Sequence, residues 1–228
     1  MTTALVLGGT GAVGGAVVAA LAARDVAVTF TYRRSIDKAE ALTAAHGARG
    51  IAVDLADLDA LDAVLGTLPV PDVIVACAAA SPGPAFVEQT AAGWREIFAV
   101  NVDATAAVCR WRARAGGPGD IVLVGGLDRG QSLPLPPAYA ASQGALSALT
   151  MALAHELGGG GLRVNLVALG VLDAGLSRQL SAGRRKDYQT FSALRREGTP
   201  TEAAAVITWL ALENRYIHGK VIAANGGI

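Results

Sequence analysis

The sequence predicts an α/β domain built as a doubly wound, seven-stranded parallel sheet with helices on both faces. Three observations point there. Short β-branched runs alternate with Ala-rich helical runs along all 228 residues, the strand candidates are apolar nearly throughout, and a glycine-rich turn follows the first of them. Strands that are continuously apolar, not alternating, belong to a sheet covered on both sides, which parallel strands joined by crossover helices produce.

In chain order the strands are Ala4 to Leu7, Val26 to Thr31, Gly50 to Val53, Val73 to Ala76, Ile121 to Val124, Arg163 to Ala168 and Val221 to Ala223. The helices between them span about Gly14 to Arg24, Ile36 to His46, Leu58 to Leu65, Gly93 to Arg114, Tyr139 to Leu157 and Thr201 to Leu212. The stretch from Met1 to Ala23 carries no charged side chain. It reads as strand, turn and helix, since it has no basic n-region and Gly8, Gly9, Gly11, Gly14 and Gly15 make a poor spanning helix. No shift in composition marks a second domain, so residues 1–228 read as one. Residues 173–198 are polar, basic and poor in strand formers, and are expected to form an insertion over the strand ends, a substrate lid.

Lys plus Arg and Asp plus Glu each number 19, so no broad field draws the chain to nucleic acid or to an anionic membrane, and a small-molecule partner fits better. Cys77 and Cys109 lie in apolar stretches without metal-ligand spacing. Neither a metal site nor a disulfide is expected, and reduced thiols suit a cytoplasmic protein.

The first strand runs into Gly8-Gly9-Thr10-Gly11-Ala12-Val13-Gly14, with glycines spaced G-x-x-G-x-x-G and a helix following. Glycines permit a tight turn and close approach of a pyrophosphate, whose charge meets the free N–H groups of the helix N-terminus. This is the strand, turn and helix of a Rossmann dinucleotide site, with Gly8, Thr10, Gly11, Ala12, Val13 and Gly14 as cofactor-binding candidates. After the second strand stands Arg33-Arg34, where an NAD-preferring fold places an acidic residue for the ribose 2′-OH; an arginine pair favours the 2′-phosphate of NADPH. Asp54-Leu55, after the third strand, is expected beside the adenine, although Asp54 also reads as a helix N-cap.

Further along, Asp72-Val73-Ile74-Val75-Ala76-Cys77-Ala78-Ala79, Phe98-Ala99-Val100-Asn101-Val102, Tyr139-Ala140-Ala141-Ser142-Gln143, Arg163-Val164-Asn165 and Asn225-Gly226-Gly227 follow in order. Together these resemble the short-chain dehydrogenase/reductase family over essentially the whole chain. They match its D-x-L-V-N-N-A-G segment, its active-site asparagine and its Y-x-x-x-K helix. The resemblance implies Tyr139 and Asn101 in the catalytic group, Ala78 and Tyr139 against NADPH, and a homodimer or homotetramer. The departures are as specific. The family's Lys is Gln143, its Ser is Gly126, its P-G after the sixth strand is Leu169-Gly170, and its cofactor-contacting Thr is Ala174.

Gln143 lies one turn from Tyr139 on the same helix face, so its amide is expected to reach the ribose hydroxyls, making it both a catalytic and a cofactor-binding candidate. It brings no positive charge. Tyr139 should then titrate near about 10 and stay protonated at neutral pH, the form that a carbonyl reductase needs. Asn101, without a Lys to serve, is free to orient a water or the backbone. Among substitutes for the lost Ser, Ser132 precedes Tyr139 in a loop, His155 lies too far along the helix, and Cys77 reads as a small buried hydrophobe. The resemblance thus implies an NADPH-dependent reductase of a ketone in a small-molecule or polyketide/acyl substrate, free or carrier-bound, with an atypical active site. Two other classes stay open: a non-redox cyclase, isomerase or dehydratase on the same fold, and a catalytically silent nucleotide-binding partner subunit.

Overall fold

The computed structural model describes residues 1–80, 82–126 and 135–228; Ser132 lies outside them. Seven parallel strands form one sheet in the order β3-β2-β1-β4-β5-β6-β7: β1 (Thr3–Leu7), β2 (Ala27–Tyr32), β3 (Arg49–Ala52), β4 (Val73–Ala76), β5 (Gly119–Gly125), β6 (Leu162–Leu169) and β7 (Val221–Ala224). The helices are α1 (Ala12–Ala22), α2 (Ile36–His46), α3 (Leu58–Gly66), α4 (Ala91–Phe98), α5 (Ala104–Ala115), α6 (Pro137–Leu157), α7 (Ala182–Phe191) and α8 (Pro200–Leu212). The doubly wound architecture expected from the sequence is therefore present, and α2 and β4 have the expected bounds.

Strand period two divides the core. Ala4 and Val6 face one side with Val28 and Val75, against Val17, Val18 and Leu21 of α1 and Ile207 and Leu210 of α8. Leu5 and Leu7 face the other with Ile74 and Ile121, against Leu61, Leu65, Val108 and Leu146. Parallel register fixes this division: Leu5 pairs with Thr29 on one edge and with Ile74 on the other. Strand order reverses at β1, between the β2 and β4 sides, and open α/β sheets bind ligands in the crevice at the carboxyl ends there.

The single helix expected over Gly93 to Arg114 is interrupted. A π-helical turn, Ala99–Asp103, joins α4 to α5. One widened turn rotates Asn101 into the interior, where its Oδ1 accepts from the Ala80 N–H at 2.8 Å. Such single-turn bulges cluster at functional sites.

Residues 173–198 hold α7 and a short 3₁₀ turn, Gly175–Gln179. They are fastened to the rest of the fold. The buried Tyr188 hydroxyl donates to the Asn225 carbonyl at 2.5 Å, and Arg185 pairs through both nitrogens with Glu197 at 2.7 and 2.6 Å. The Leu194 N–H donates to Gly226 O at 3.0 Å. A full capping box, Thr199 with Glu202, then starts α8 behind Pro200. Among the described residues no helix is long and apolar enough to cross a membrane, and no cluster of His, Cys, Asp and Glu could hold a metal ion.

Candidate active site

A cleft of about 810 Å³ opens at the carboxyl ends of β1, β2 and β4. Its floor is the turn between β1 and α1. Gly8 adopts φ +76°, its N–H donates to Thr31 Oγ1 at 3.0 Å, and its carbonyl accepts from the Gly11 N–H at 3.0 Å. A Cβ at Gly14 would run into the Gly8 carbonyl, and one at Gly8 would stand 2.8 Å from Ala78 Cα. Glycine is thus required at Gly8 and Gly14 by the close packing of turn, helix and β4 loop, as a pyrophosphate cradle at a helix N-terminus demands. No acidic residue occupies the first turn of α1 to oppose an anion. Gly8, Thr10, Gly11, Ala12, Val13, Gly14, Arg33, Asp54, Leu55, Ala78 and Tyr139, all expected at the cofactor from sequence, lie on the cleft wall.

Two expected residues do not. Arg34 is exposed and off the wall, because successive residues leaving a strand point to opposite sides and Arg33 takes the inward direction. Lys38, in the first turn of α2, lies on the wall in its place. Sequence reading missed it, although its position one turn after Ser35 was the available signal. Arg33 Nη1 stands 3.8 Å from Asp54 Oδ2, both side chains nearly half exposed.

Gln143 is the second correction. It is 3% exposed and absent from the cleft wall. Its Oε1 accepts from the Gly126 N–H at 2.8 Å and its Nε2 donates to Ser142 Oγ at 3.3 Å. The N–H just beyond β5 captures the amide, so it is turned away from the cleft. Asn101 is likewise behind the wall, donating from Nδ2 to Ser142 Oγ at 2.9 Å. Asn101 therefore orients backbone, at Ala80.

Tyr139 stands where this cleft meets a second one of about 480 Å³, walled mainly by apolar side chains including Leu135, Leu169, Leu176, Leu180 and Phe191. Gly126, Gly170 and Ser177 are also shared between the two. Burial pushes the Tyr139 phenol up to about 12, above the unperturbed value expected from sequence. The consequence at neutral pH is unchanged: a neutral O–H donor. Its hydroxyl occupies space above Gly126, where a Cβ would stand 2.8 Å from it. Cys77, half-buried, lines the first cleft, and burial raises its thiol to about 12, which keeps it in the thiol form at neutral pH.

Of the three consecutive cations on α7, Arg184 lines the second cleft beside Asp187, Arg185 is bound to Glu197, and Lys186 is exposed.

A family model described as Enoyl-(Acyl carrier protein) reductase matches residues 9–228. The Cyclic-di-GMP-binding biofilm dispersal mediator protein of Escherichia coli is 30% identical over 211 residues, covering 92% of this chain and 89% of the relative. The 3-oxoacyl-(acyl-carrier-protein) reductase MabA of Mycobacterium tuberculosis is 28% identical over 233 residues, 98% of this chain and 91% of the relative. Among solved structures, that of BdcA in complex with NADPH superposes with a TM-score of 0.92 at 29% identity, over 100% of this chain and 94% of that one.

Proposed function

The chain belongs to the short-chain dehydrogenase/reductase family, a family of oxidoreductases, and from that premise we propose that it is an NADPH-dependent reductase of an apolar ketone in a small-molecule or polyketide/acyl substrate. One observation carries the reading: Tyr139, a protonated phenol, is the acidic side chain common to a dinucleotide-sized cleft and an apolar cleft. The NADPH complex of the BdcA structure and the reductase name of the mycobacterial relative support it.

Bound NADPH supplies the hydride. The turn Gly8 to Gly14 would hold its pyrophosphate, Arg33 and Lys38 its 2′-phosphate, and Asp54 and Leu55 its adenine side. Tyr139 donates the proton from its hydroxyl to the carbonyl oxygen. Position 126 has no Ser to help polarise the carbonyl, and loss of one such donor costs on the order of 10²- to 10³-fold. Residues 173–198 form the substrate lid, with Leu176 and Leu180 supplying part of the apolar wall. The same reading places the protein in the cytoplasm as a homodimer or homotetramer, with Cys77 and Cys109 as free thiols.

The test is NADPH consumption with a panel of apolar ketones by the native protein and by Tyr139→Phe. General acid catalysis contributes about 10²- to 10⁴-fold, so the variant should lose that much turnover while binding NADPH as before. A second reading rests on the same departures. Gly126 and Gln143 replace both polar partners of the tyrosine, and the Escherichia coli relative bears the name of a nucleotide-binding mediator. NADPH binding without turnover of any ketone would select this nucleotide-binding role.

A further inference from the structure

Behind the active-site wall lies a buried polar chain whose centre is Ser142, with no exposed surface. Its hydroxyl donates to the Tyr139 carbonyl at 2.7 Å and accepts from Asn101 Nδ2 at 2.9 Å and Gln143 Nε2 at 3.3 Å. A serine hydroxyl has one hydrogen and two lone pairs, so all are used. The two ends of the chain are backbone N–H groups: Ala80, held by Asn101 at 2.8 Å, and Gly126, held by Gln143 at 2.8 Å. Six residues thus tie the loop after β4, the π turn, α6 and the end of β5 to one another.

The β5 end is packed closely against α6. A Cβ at Gly125 would stand 3.0 Å from Gln143 Oε1, and one at Gly126 2.8 Å from the Tyr139 hydroxyl. Gly126 and Gln143 are linked through the Gly126 N–H and Gln143 Oε1. We propose that Gln143 is a positioning residue: by accepting from the Gly126 N–H and donating to Ser142, it holds the end of β5 in the conformation that leaves the Tyr139 hydroxyl its place above Gly126, and it does so without touching the cofactor. The catalytic part of this inference rests on the reductase reading; the structural part does not.

The experiment is amide hydrogen exchange at Gly126, together with NADPH titration and steady-state kinetics, on Gln143→Leu and Gln143→Glu. The leucine removes the acceptor at similar volume. Exchange at Gly126 should accelerate about three- to tenfold, the weight of one net hydrogen bond. The NADPH dissociation constant should change by less than about twofold, because no ribose contact is lost, and kcat should fall while the KM for NADPH holds. The glutamate keeps the acceptor, so Gly126 should remain slow in exchange. Unchanged exchange in the leucine variant, or fast exchange in the glutamate variant, overturns the proposal. So does a loss of NADPH affinity above about fivefold in the leucine variant, which would mean direct contact. If the leucine variant fails to fold, the glutamate variant decides alone through Gly126 exchange. If no ketone is turned over, the exchange result stands while the reductase reading fails.

Discussion

Discrimination between NADPH and NADH should depend on Arg33 and Lys38 and not on the adjacent pair Arg33-Arg34. Both Arg33 and Lys38 line the cleft, whereas Arg34 projects away from it. A hydrogen bond to a charged group contributes about 1.5 to 3 kcal/mol. The Arg33 side chain is 45% exposed, which puts it at the lower end. At about 1.5 kcal/mol each, removing one cation lowers NADPH affinity about tenfold and removing both about a hundredfold. Arg33→Ala has a second effect, since Asp54, 3.8 Å away, loses its neutralising partner. The freed carboxylate repels a 2′-phosphate, so NADPH should lose more than NADH. The assay is fluorescence titration of both nucleotides at one fixed ionic strength, because exposed charges are screened by salt. Arg34→Ala should stay within about twofold of the native preference, as expected for an exposed charge without a ligand. An Arg34→Ala effect as large as that of Arg33→Ala, or a Lys38→Ala variant with native selectivity, would refute the assignment.

Gly126→Ser, although it restores a family residue, should lower kcat/KM for ketone reduction, because the new Cβ must displace the Tyr139 hydroxyl 2.8 Å away; a gain in steady-state activity would show that the phenol yields freely. Because burial holds that phenol near 12, the kcat of reduction should show no fall from tyrosine ionisation up to pH 9, and a pH–rate profile with a break between 7 and 9 traced to Tyr139 would contradict it. Arg184→Ala should raise the KM for apolar ketones bearing a carboxylate relative to neutral ones, whereas Arg185→Ala should leave that ratio alone and lower Tm by removing the Glu197 pair. That pair holds the Glu197 carboxyl below its usual range, so its stabilisation is complete above the unfolded pKa and is lost as pH falls through the lower folded one. Melting curves of Arg185→Ala should accordingly converge on the native ones in acid, and a constant gap at all pH values would count against the pair. Cys77, its thiol raised to about 12, should resist iodoacetamide at pH 8 in the folded protein; rapid single-site alkylation located by mass spectrometry would contradict that.

The sheet was legible because the strands are short, mostly apolar runs and the crossovers between them are largely Ala-rich, signals that no tertiary contact needs to supply. The glycine turn was legible for the same reason: Gly8 and Gly14 answer to local sterics. What sequence could not show is direction. Arg33 and Arg34 are chemically equal, and only the path of the chain leaving β2 decides which one meets the cleft. Gln143 stands where the family has Lys, but its orientation depends on an unsatisfied N–H at Gly126, seventeen residues away in sequence. The π turn at Asn101 left no mark in composition, since Ala99-Val100-Asn101-Val102-Asp103 suits an ordinary helix as well.

The bond from Tyr188 to the Asn225 carbonyl makes the C-terminal half of α7 the fixed side of an arch over the cleft. Its feet stand on the segment that follows β7: Ala193 and Leu194 donate to the Gly227 and Gly226 carbonyls at 3.2 and 3.0 Å. A Cβ at Gly227 would meet the Ala193 Cβ at 2.9 Å. Opening the arch therefore means breaking several contacts together, a cooperative event and not end fraying. Ligand traffic is expected to pass beneath the standing arch. Under the lid reading, substitutions at residues 225–227, which do not line the pocket, are accordingly expected to shift Arg184, Asp187 and Phe191 and with them the selectivity for substrate shape.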